Sequence, residues 1–175
     1  MLAGLSIAET FSWGVLYYAF SAFIRPIEQD MGWSRTQVTS AFSLALLVAG
    51  LAAVPVGHWL DARGGRGLMS AGSVLGALVL GALSRVRSLP ALYAVWLGLG
   101  AVMAMVLYEP AFAVVTTWFV RHRDRALTTL TVFGGLASTL VVPLATWLLE
   151  IQGWRSAVMT LAAIFAGITV PLHGL

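Results

Sequence analysis

The chain has 175 residues, of which 59% are hydrophobic and 10% are charged, and its formal net charge is +3. A soluble domain has about a quarter of its residues charged, so this composition excludes a soluble protein and indicates an integral membrane protein. The absence of cysteine excludes disulfides and cysteine-based metal or redox sites. The basic residues are all arginine and lie between apolar segments rather than on one patch, which does not favour nucleic-acid binding.

Six apolar segments are long enough to be transmembrane helices. A bilayer core about 30 Å thick needs roughly 20 apolar residues per helix, and helices satisfy their own backbone hydrogen bonds in lipid. Short loops between the segments predict antiparallel neighbours. We therefore predict an all-α membrane protein, a single up-down bundle of six transmembrane helices. The predicted spans are 2–24, 36–56, 68–84, 89–118, 126–149 and 156–172.

The first predicted helix has a polar and aromatic face, which we expect to look inward because polar groups avoid lipid at the midplane. We interpret Trp13 and Tyr17 as part of a substrate or proton pathway; packing and hydrogen bonding between helices is the alternative. Glu9 lies near the start of the helix, where a carboxylate suits the positive helix end, and we interpret it as structural. The face consists of Ser6, Thr10, Trp13, Tyr17 and Ser21, at three- and four-residue spacing.

The later helices carry ordinary capping and packing signals. Ser34 and Gln37 form a capping box that begins the second helix. Gly72 and Gly76 form a GxxxG pair, which predicts close packing within the chain, with a dimer face as the alternative. Gly134 and Gly135 predict the close approach of a neighbouring helix. Prolines within or near helix ends predict local kinks; they are Pro110, Pro143 and Pro171.

Glu109 is the only acid well inside a predicted span, in the run Tyr108-Glu109-Pro110. It lies about 14 Å from the end of its helix at Trp118. A carboxylate at that depth is costly, so it should face a cavity, be paired or be protonated. We interpret Tyr108 and Glu109 as part of the substrate or proton pathway. The alternative is a structural acid that bonds a neighbouring helix or the backbone loosened by Pro110.

A charged, glycine-rich turn between the second and third helices resembles a motif of the major facilitator superfamily. The family pattern is roughly Gly-x-x-x-Asp-Arg/Lys-x-Gly-x-Arg/Lys-Arg/Lys, and Gly57, Asp61, Gly64 and Arg66 follow it. The chain departs from the pattern in two places. Ala62 stands where a base is usual, with Arg63 one place later, and Gly67 stands where the second base is usual. Three further segments resemble the monocarboxylate-transporter-like and oxalate/formate-antiporter-like branches, namely 32–35, 118–127 and 153–155.

The resemblance implies a conformational latch at this turn. In the family, the aspartate pairs with basic residues of the motif and faces a helix end in the other half of the carrier. Asp61 would carry that contact here, with Arg66 as its partner and Arg63 as a substitute; a merely solvated loop is the alternative. The residues assigned to the latch are Gly57, Asp61, Arg63, Gly64 and Arg66. The charges of the loop after the fourth helix are expected to be cytoplasmic, and they are Arg121, Arg123, Asp124 and Arg125.

The resemblance also implies twelve spans in two six-helix halves, with the substrate at the midplane between them. The chain matches the N-terminal half, so we expect a fragment or a truncation whose C-terminal six-helix half is a partner. Arginines divide five against five between the two sets of loops, so the charge count leaves the orientation open. The family topology implies that both termini are cytoplasmic, in the cytoplasmic membrane.

The functional hypothesis is the N-terminal half of a secondary transporter that moves a small solute, with an organic anion suggested by the branch. A stand-alone six-helix membrane scaffold, or a half-carrier that assembles with another half, is the alternative. No P-loop occurs, so ATP-driven transport is not supported. An enzyme is disfavoured because neither a Ser/His pair nor an HExxH motif of an intramembrane protease occurs. The three histidines lie in loops or at the chain end without the spacing of a metal site, so we expect no metal and no cofactor.

Overall fold

The computed structural model describes residues 2–174, which form helices joined by short turns, with no strand in that range. A 12-residue helix, a π-helical turn and a second 12-residue helix follow one another without a loop at the beginning of this range. The elements are α1 (Leu2–Trp13), the π-helical turn Gly14–Tyr18, α2 (Phe20–Met31), α3 (Arg35–Arg63), α4 (Gly65–Leu83), α5 (Leu89–Val106), α6 (Tyr108–Trp118), α7 (Arg123–Gly135) and α8 (Ala137–Gly174).

Four helical runs are long and apolar enough to cross a membrane, and they are Arg35–Arg63, Gly65–Leu83, Leu89–Trp118 and Arg123–Gly174. The prediction of an all-α membrane protein is therefore confirmed. A core of apolar side chains joins the helices, with Leu16, Leu99 and Phe165 almost fully buried. Other large apolar side chains, such as Leu51 and Leu78, point outward, as lipid-facing residues do.

Local signals in the sequence set several helix ends. The Ser34 hydroxyl accepts a hydrogen bond from the Gln37 backbone N–H, and the Gln37 side chain accepts one from the Ser34 backbone N–H, so the capping box is confirmed. Gly32 ends α2 with a φ of 67°, a backbone conformation that suits glycine. The Ser88 hydroxyl caps α5 in the same manner as Ser34 caps α3.

Several predicted boundaries differ from the structure. The first predicted span ended at residue 24, whereas α2 continues past Pro26 to Met31. The charged turn is mostly helical, because α3 continues through Asp61 to Arg63 and α4 begins at Gly65. Gly64, with a φ of 74°, is the single residue that reverses the chain. The predicted gap between the fifth and sixth helices is also helical by hydrogen bonding, and α8 is divided only at Gly153, which also has a φ of 74°. The helical backbone is thus interrupted at a glycine with positive φ in both places.

The three predicted kinks have different outcomes. Pro110 lacks an N–H and its ring crowds the carbonyl four residues earlier, and the chain breaks there, at Leu107, between α5 and α6. At Pro143 and Pro171 the backbone dihedrals stay helical, and the interruption of α8 lies at Gly153 instead.

Three of the four glycines predicted to pack closely do so within the chain, and the prediction for Gly135 is wrong. A methyl group added at Gly72 would meet Val106 and Met105 of α5, and one at Gly76 would meet Phe165 of α8. One added at Gly134 would collide with the hydroxyl of Tyr108, whereas one at Gly135 would meet nothing within 4 Å. The GxxxG pair is therefore a packing surface inside the molecule.

Candidate functional site

A cavity of about 260 Å³ opens beside the break between α5 and α6. Trp13, Tyr17 and Glu109 line part of it, and the remaining lining residues are apolar. The rest of the lining consists of Leu46, Ala49, Gly50, Met103, Ala104 and Leu107. Three of the four residues predicted for a substrate or proton pathway therefore meet around one space.

The fourth residue, Tyr108, contacts this group without lining the cavity. Its ring centroid lies 4.7 Å from that of Trp13, and its hydroxyl donates a 3.3 Å hydrogen bond to the backbone carbonyl of Thr131. Trp13 and Tyr17 are themselves an edge-to-face pair with centroids 5.4 Å apart. Aromatic pairs in this distance range are mutually favourable, so the rings hold one another in place at the cavity wall.

The helix break determines the position of Glu109. Because Leu107 has an extended backbone, α6 begins anew at Tyr108 and Glu109 falls in its first turn. The amide groups of a first turn carry partial positive charge, which stabilises a carboxylate. The Glu109 side chain is exposed to the cavity and has no ion pair within residues 2–174. An acid with this access can contact a solute that enters the cavity.

The polar face of the first helix divides into two regions. Thr10 is buried, and its hydroxyl lies 2.9 Å from the carbonyl oxygens of both Ser6 and Phe133, which joins α1 to α7. Ser21 is exposed and bonds the carbonyl of Tyr18. Between these ends, Trp13 and Tyr17 face the cavity. Thr10 therefore packs against a neighbouring helix, as the alternative interpretation holds. Trp13 and Tyr17 form part of the cavity wall.

Glu9 has surroundings that the sequence did not indicate. Its side chain is 0% exposed, and neither carboxylate oxygen has a hydrogen-bond partner within the described range. The interpretation of Glu9 as an acid near a helix start does not account for its complete burial without a hydrogen-bond partner. Burying an unpaired ionised carboxylate costs several kcal/mol.

The residues assigned to a latch surround the Gly64 turn, but their predicted ion pair does not form. Among residues 2–174 the ion pairs are Arg35 with Glu28 and Arg155 with Asp30, and Asp61 is in neither. The Arg63 guanidinium stacks instead over the Trp59 ring, 4.5 Å from its centroid. Arg63 is one turn along α3 from Trp59, which allows this contact. Asp61 is left exposed and free to meet another partner.

A second cavity of about 260 Å³ lies beside the same turn. Arg63, Gly64 and Arg66 line it, whereas Gly57 and Asp61 do not. His173 also lines it, and this histidine is a buried residue of α8 whose Nδ1 lies 2.7 Å from the Ser73 hydroxyl. His173 lies near the end of the chain, as expected, but within α8 rather than in a loop.

The charged loop between α6 and α7 is short and exposed. α6 ends at Trp118 and α7 begins at Arg123, so Arg121 lies in the loop while Arg123, Asp124 and Arg125 form the first turn of α7. Asp124 is well placed there because a first turn favours an acid.

The opposite end of the molecule has a polar clamp that sequence analysis missed. Arg155 donates to the carbonyls of Ser84 and Val86 and pairs with Asp30 at 3.1 Å. The indole N–H of Trp154 donates to the same Asp30 carboxylate at 2.9 Å. The clamp joins α8 to the end of α2 and to the turn after α4. The partners are far apart in the sequence, so no local pattern could indicate it.

Comparison with known proteins adds a family and several relatives. The family model described as Major Facilitator Superfamily matches residues 2–173. The chain is 32% identical over 170 residues to monocarboxylate transporter 11 of Mus musculus, an alignment that covers 95% of this chain and 36% of that protein. It is 28% identical over 145 residues to the oxalate:formate antiporter of Oxalobacter formigenes, covering 81% of this chain and 34% of that one.

A third relative is the uncharacterized MFS-type transporter YcxA of Bacillus subtilis, 26% identical over 157 residues, or 88% of this chain and 38% of that protein. The chain therefore spans only about a third of the length of these curated relatives.

Proposed function

Because the chain belongs to the Major Facilitator Superfamily, we propose that it is the N-terminal six-helix half of a secondary active transporter that moves a small organic anion by alternating access. The observation that carries the proposal is the cavity lined by Trp13, Tyr17 and Glu109 beside a broken helix. Broken helices that line a cavity are typical of substrate sites in secondary transporters. The organic anion is suggested by the names of two relatives, a monocarboxylate transporter and an oxalate:formate antiporter.

The proposed six spans follow from the lengths of the helical runs. The run Arg123–Gly174 has 52 residues, or about 78 Å of helix, which is more than twice the thickness of a bilayer core of about 30 Å. Reversal at Gly153 would let this run cross twice. The run from α1 to α2 would make one crossing, and α3, α4 and the α5–α6 pair would make the other three.

The proposed role of Glu109 is to bind a proton or the solute at the cavity. No basic side chain lines this cavity among the described residues, so an anion would need a positive group from the proposed C-terminal half. An ionised Glu109 would repel an anion, whereas a protonated one would accept it as a hydrogen-bond donor. Proton binding at Glu109 would thereby favour anion binding.

The proposed role of Asp61 is to contact a helix end of the C-terminal half, with Gly57, Arg63, Gly64 and Arg66 shaping the turn. Its exposure and its lack of an ion pair within residues 2–174 leave its charge available. We place this turn, the loop from Arg121 to Arg125 and both termini on the cytoplasmic side of the cytoplasmic membrane.

The test is uptake of labelled monocarboxylates and oxalate by the full-length carrier in proteoliposomes, with Glu109→Gln compared with Glu150→Gln. Glu150 is an exposed acid near the Gly153 reversal, distant in sequence from the cavity. We expect Glu109→Gln to change the dependence of uptake on pH and Glu150→Gln to leave it unaltered. Unchanged pH dependence in Glu109→Gln would contradict the proton role, and no uptake of either solute by the wild type would contradict the substrate class.

A further inference from the structure

Glu9 is one of four buried polar side chains of α1 and its junction with the π-helical turn that lack hydrogen-bond partners. The carboxylate of Glu9, the hydroxyls of Ser6 and Ser12 and the indole N–H of Trp13 are all unpartnered within residues 2–174. Ser6, Glu9 and Trp13 are three and four residues apart, so they follow one face of the helix. Such a group of unsatisfied buried atoms is uncommon and calls for an explanation.

Within residues 2–174, no basic side chain forms an ion pair with Glu9. On α7 the charged residues are Arg123, Asp124 and Arg125, and on α8 they are Glu150, Arg155 and His173; all lie at helix ends or at the Gly153 reversal. The titratable side chains of α5 and of the π-helical turn are tyrosines. They are Tyr93 on α5 and Tyr17 and Tyr18 in the turn.

The titratable residues of α6 are Tyr108 and Glu109. Glu109 lines the same cavity as Trp13, which is one helical turn from Glu9, and the Tyr108 ring contacts the Trp13 ring. Two carboxylates that interact repel each other when both are ionised, so a proton on one of them removes the repulsion. The neutral form of Glu9 is the form that this environment accommodates.

Trp13 connects Glu9 to the cavity. It is one helical turn beyond Glu9, and its indole N–H, like the Glu9 carboxyl group, has no hydrogen-bond partner within residues 2–174. The Trp13 side chain also lines the cavity, and its ring contacts the Tyr108 ring. The π-helical turn begins at Gly14, directly after Trp13, and such turns are frequent at functional sites.

We propose that Glu9 is a second proton-binding site of the carrier, buried behind the cavity that Glu109 lines, and that it is protonated in the conformation described. The role of Glu9 in transport rests on the proposed transport function, whereas the protonation of Glu9 does not depend on it. Binding adds one proton from water to the carboxylate and removes one negative charge, with no other atom transferred. Movement of α6 away from Trp13 would admit water and allow the proton to leave.

Infrared difference spectroscopy of the full-length carrier in lipid vesicles at neutral pH, comparing each variant with the wild type, tests the protonation directly. We expect a carbonyl band of a protonated carboxylic acid that disappears in Glu9→Gln, persists in the conservative variant Glu9→Asp, and is unaltered in Glu150→Gln. Glutamine has the shape of protonated glutamate, so the variant should fold, and circular dichroism checks this. A spectrum in which Glu9→Gln removes no such band would overturn the proposal, whether or not the protein transports.

Uptake by the full-length carrier tests the coupling. We expect Glu9→Gln to reduce accumulation driven by a pH gradient by about tenfold, a usual size for coupling between two binding sites. Solute exchange at equal pH on both sides should remain close to that of the wild type. Gradient-driven accumulation that is unchanged in Glu9→Gln would overturn the coupling while leaving the proposed transporter intact.

Discussion

Single residues decide how closely α6 and α7 approach. Tyr108 lies across the surface of α7, with its hydroxyl bonded to the Thr131 carbonyl and in contact with Gly134. The same tyrosine supports Trp13 at the cavity wall. Glycine at position 134 therefore permits a contact that shapes the candidate site from a neighbouring helix.

The first prediction compares two adjacent glycines. Gly134→Ala should lower the free energy of unfolding by about 1–3 kcal/mol, because the added methyl group overpacks the contact with Tyr108. Gly135→Ala should change it by less than about 0.5 kcal/mol, since nothing lies within 4 Å of its added methyl group. Unfolding of the purified variants in detergent measures both. Equal effects at the two positions would show that the Tyr108 contact does not constrain the helix.

At the scale of elements, polar clamps and glycine reversals fix how the helices meet at their ends. The Arg155 clamp is half-buried and contacts two backbone carbonyls besides Asp30, so its hydrogen bonds replace interactions with water at three acceptors. The Arg35–Glu28 pair at the same end is different, because the arginine is 61% exposed and contacts only the carboxylate. The two arginines should therefore contribute unequally.

The second prediction uses these two arginines as a matched pair. Arg155→Lys should lower the free energy of unfolding by about 1–3 kcal/mol, because an ammonium cannot reproduce the fork that reaches several acceptors at once. Arg35→Lys should cost less than about 1 kcal/mol, as exposed ion pairs do. Thermal unfolding in detergent compares them. A larger loss in Arg35→Lys would contradict the clamp.

For the whole molecule, the number of membrane crossings determines which ends share a side. Ala62, at the end of α3, and Gln152, beside the Gly153 reversal, are both exposed. Three proposed crossings separate them, made by α4, by the α5–α6 pair and by the first part of the long run from α7. They should therefore lie on opposite sides of the membrane, with Leu51 between them facing lipid.

The third prediction exploits the absence of cysteine from the chain. In sealed vesicles, Ala62→Cys and Gln152→Cys should react with a membrane-impermeant maleimide added to opposite sides. Leu51→Cys, at a 68% exposed position in the middle of α3, should react from neither side because lipid covers it. Labelling of Ala62→Cys and Gln152→Cys from the same side would rule out the six-span arrangement.

The elements were largely predictable because their signals are local. Apolar runs, the Ser34 capping box and glycines able to adopt positive φ act within a few residues, and the helices at these positions agree. The errors arose where a helix continued through charged residues, as α3 does to Arg63, whereas the kink predicted at Pro110 is present but begins earlier, at Leu107. In the first case one glycine suffices to reverse the chain, and in the second the proline acts on the turn before it.

The candidate site was predictable in part for the same reason. The spacing of Trp13 and Tyr17 and the depth of Glu109 indicated a shared interior space, and all three line one cavity. The ion pair of Asp61 with Arg66 was not found, and Arg63, the predicted substitute partner, stacks on Trp59 one turn away instead. The lack of hydrogen-bond partners for Glu9 within the described residues was also missed, since its position near the helix start suggested stabilisation by the helix end.

The sequence by itself determined the membrane class, the helical nature of the chain and the family, because composition, hydrophobic length and short motifs need no knowledge of distant contacts. Only the tertiary structure decided which polar groups are satisfied. Thr10 meets the carbonyl of Phe133, and Arg155 and Trp154 meet Asp30, across more than a hundred residues of chain. Glu9 meets no such partner. Whether a buried charge is paired depends on segments brought together by folding, and for that reason Glu9 became visible as a candidate proton site only in three dimensions.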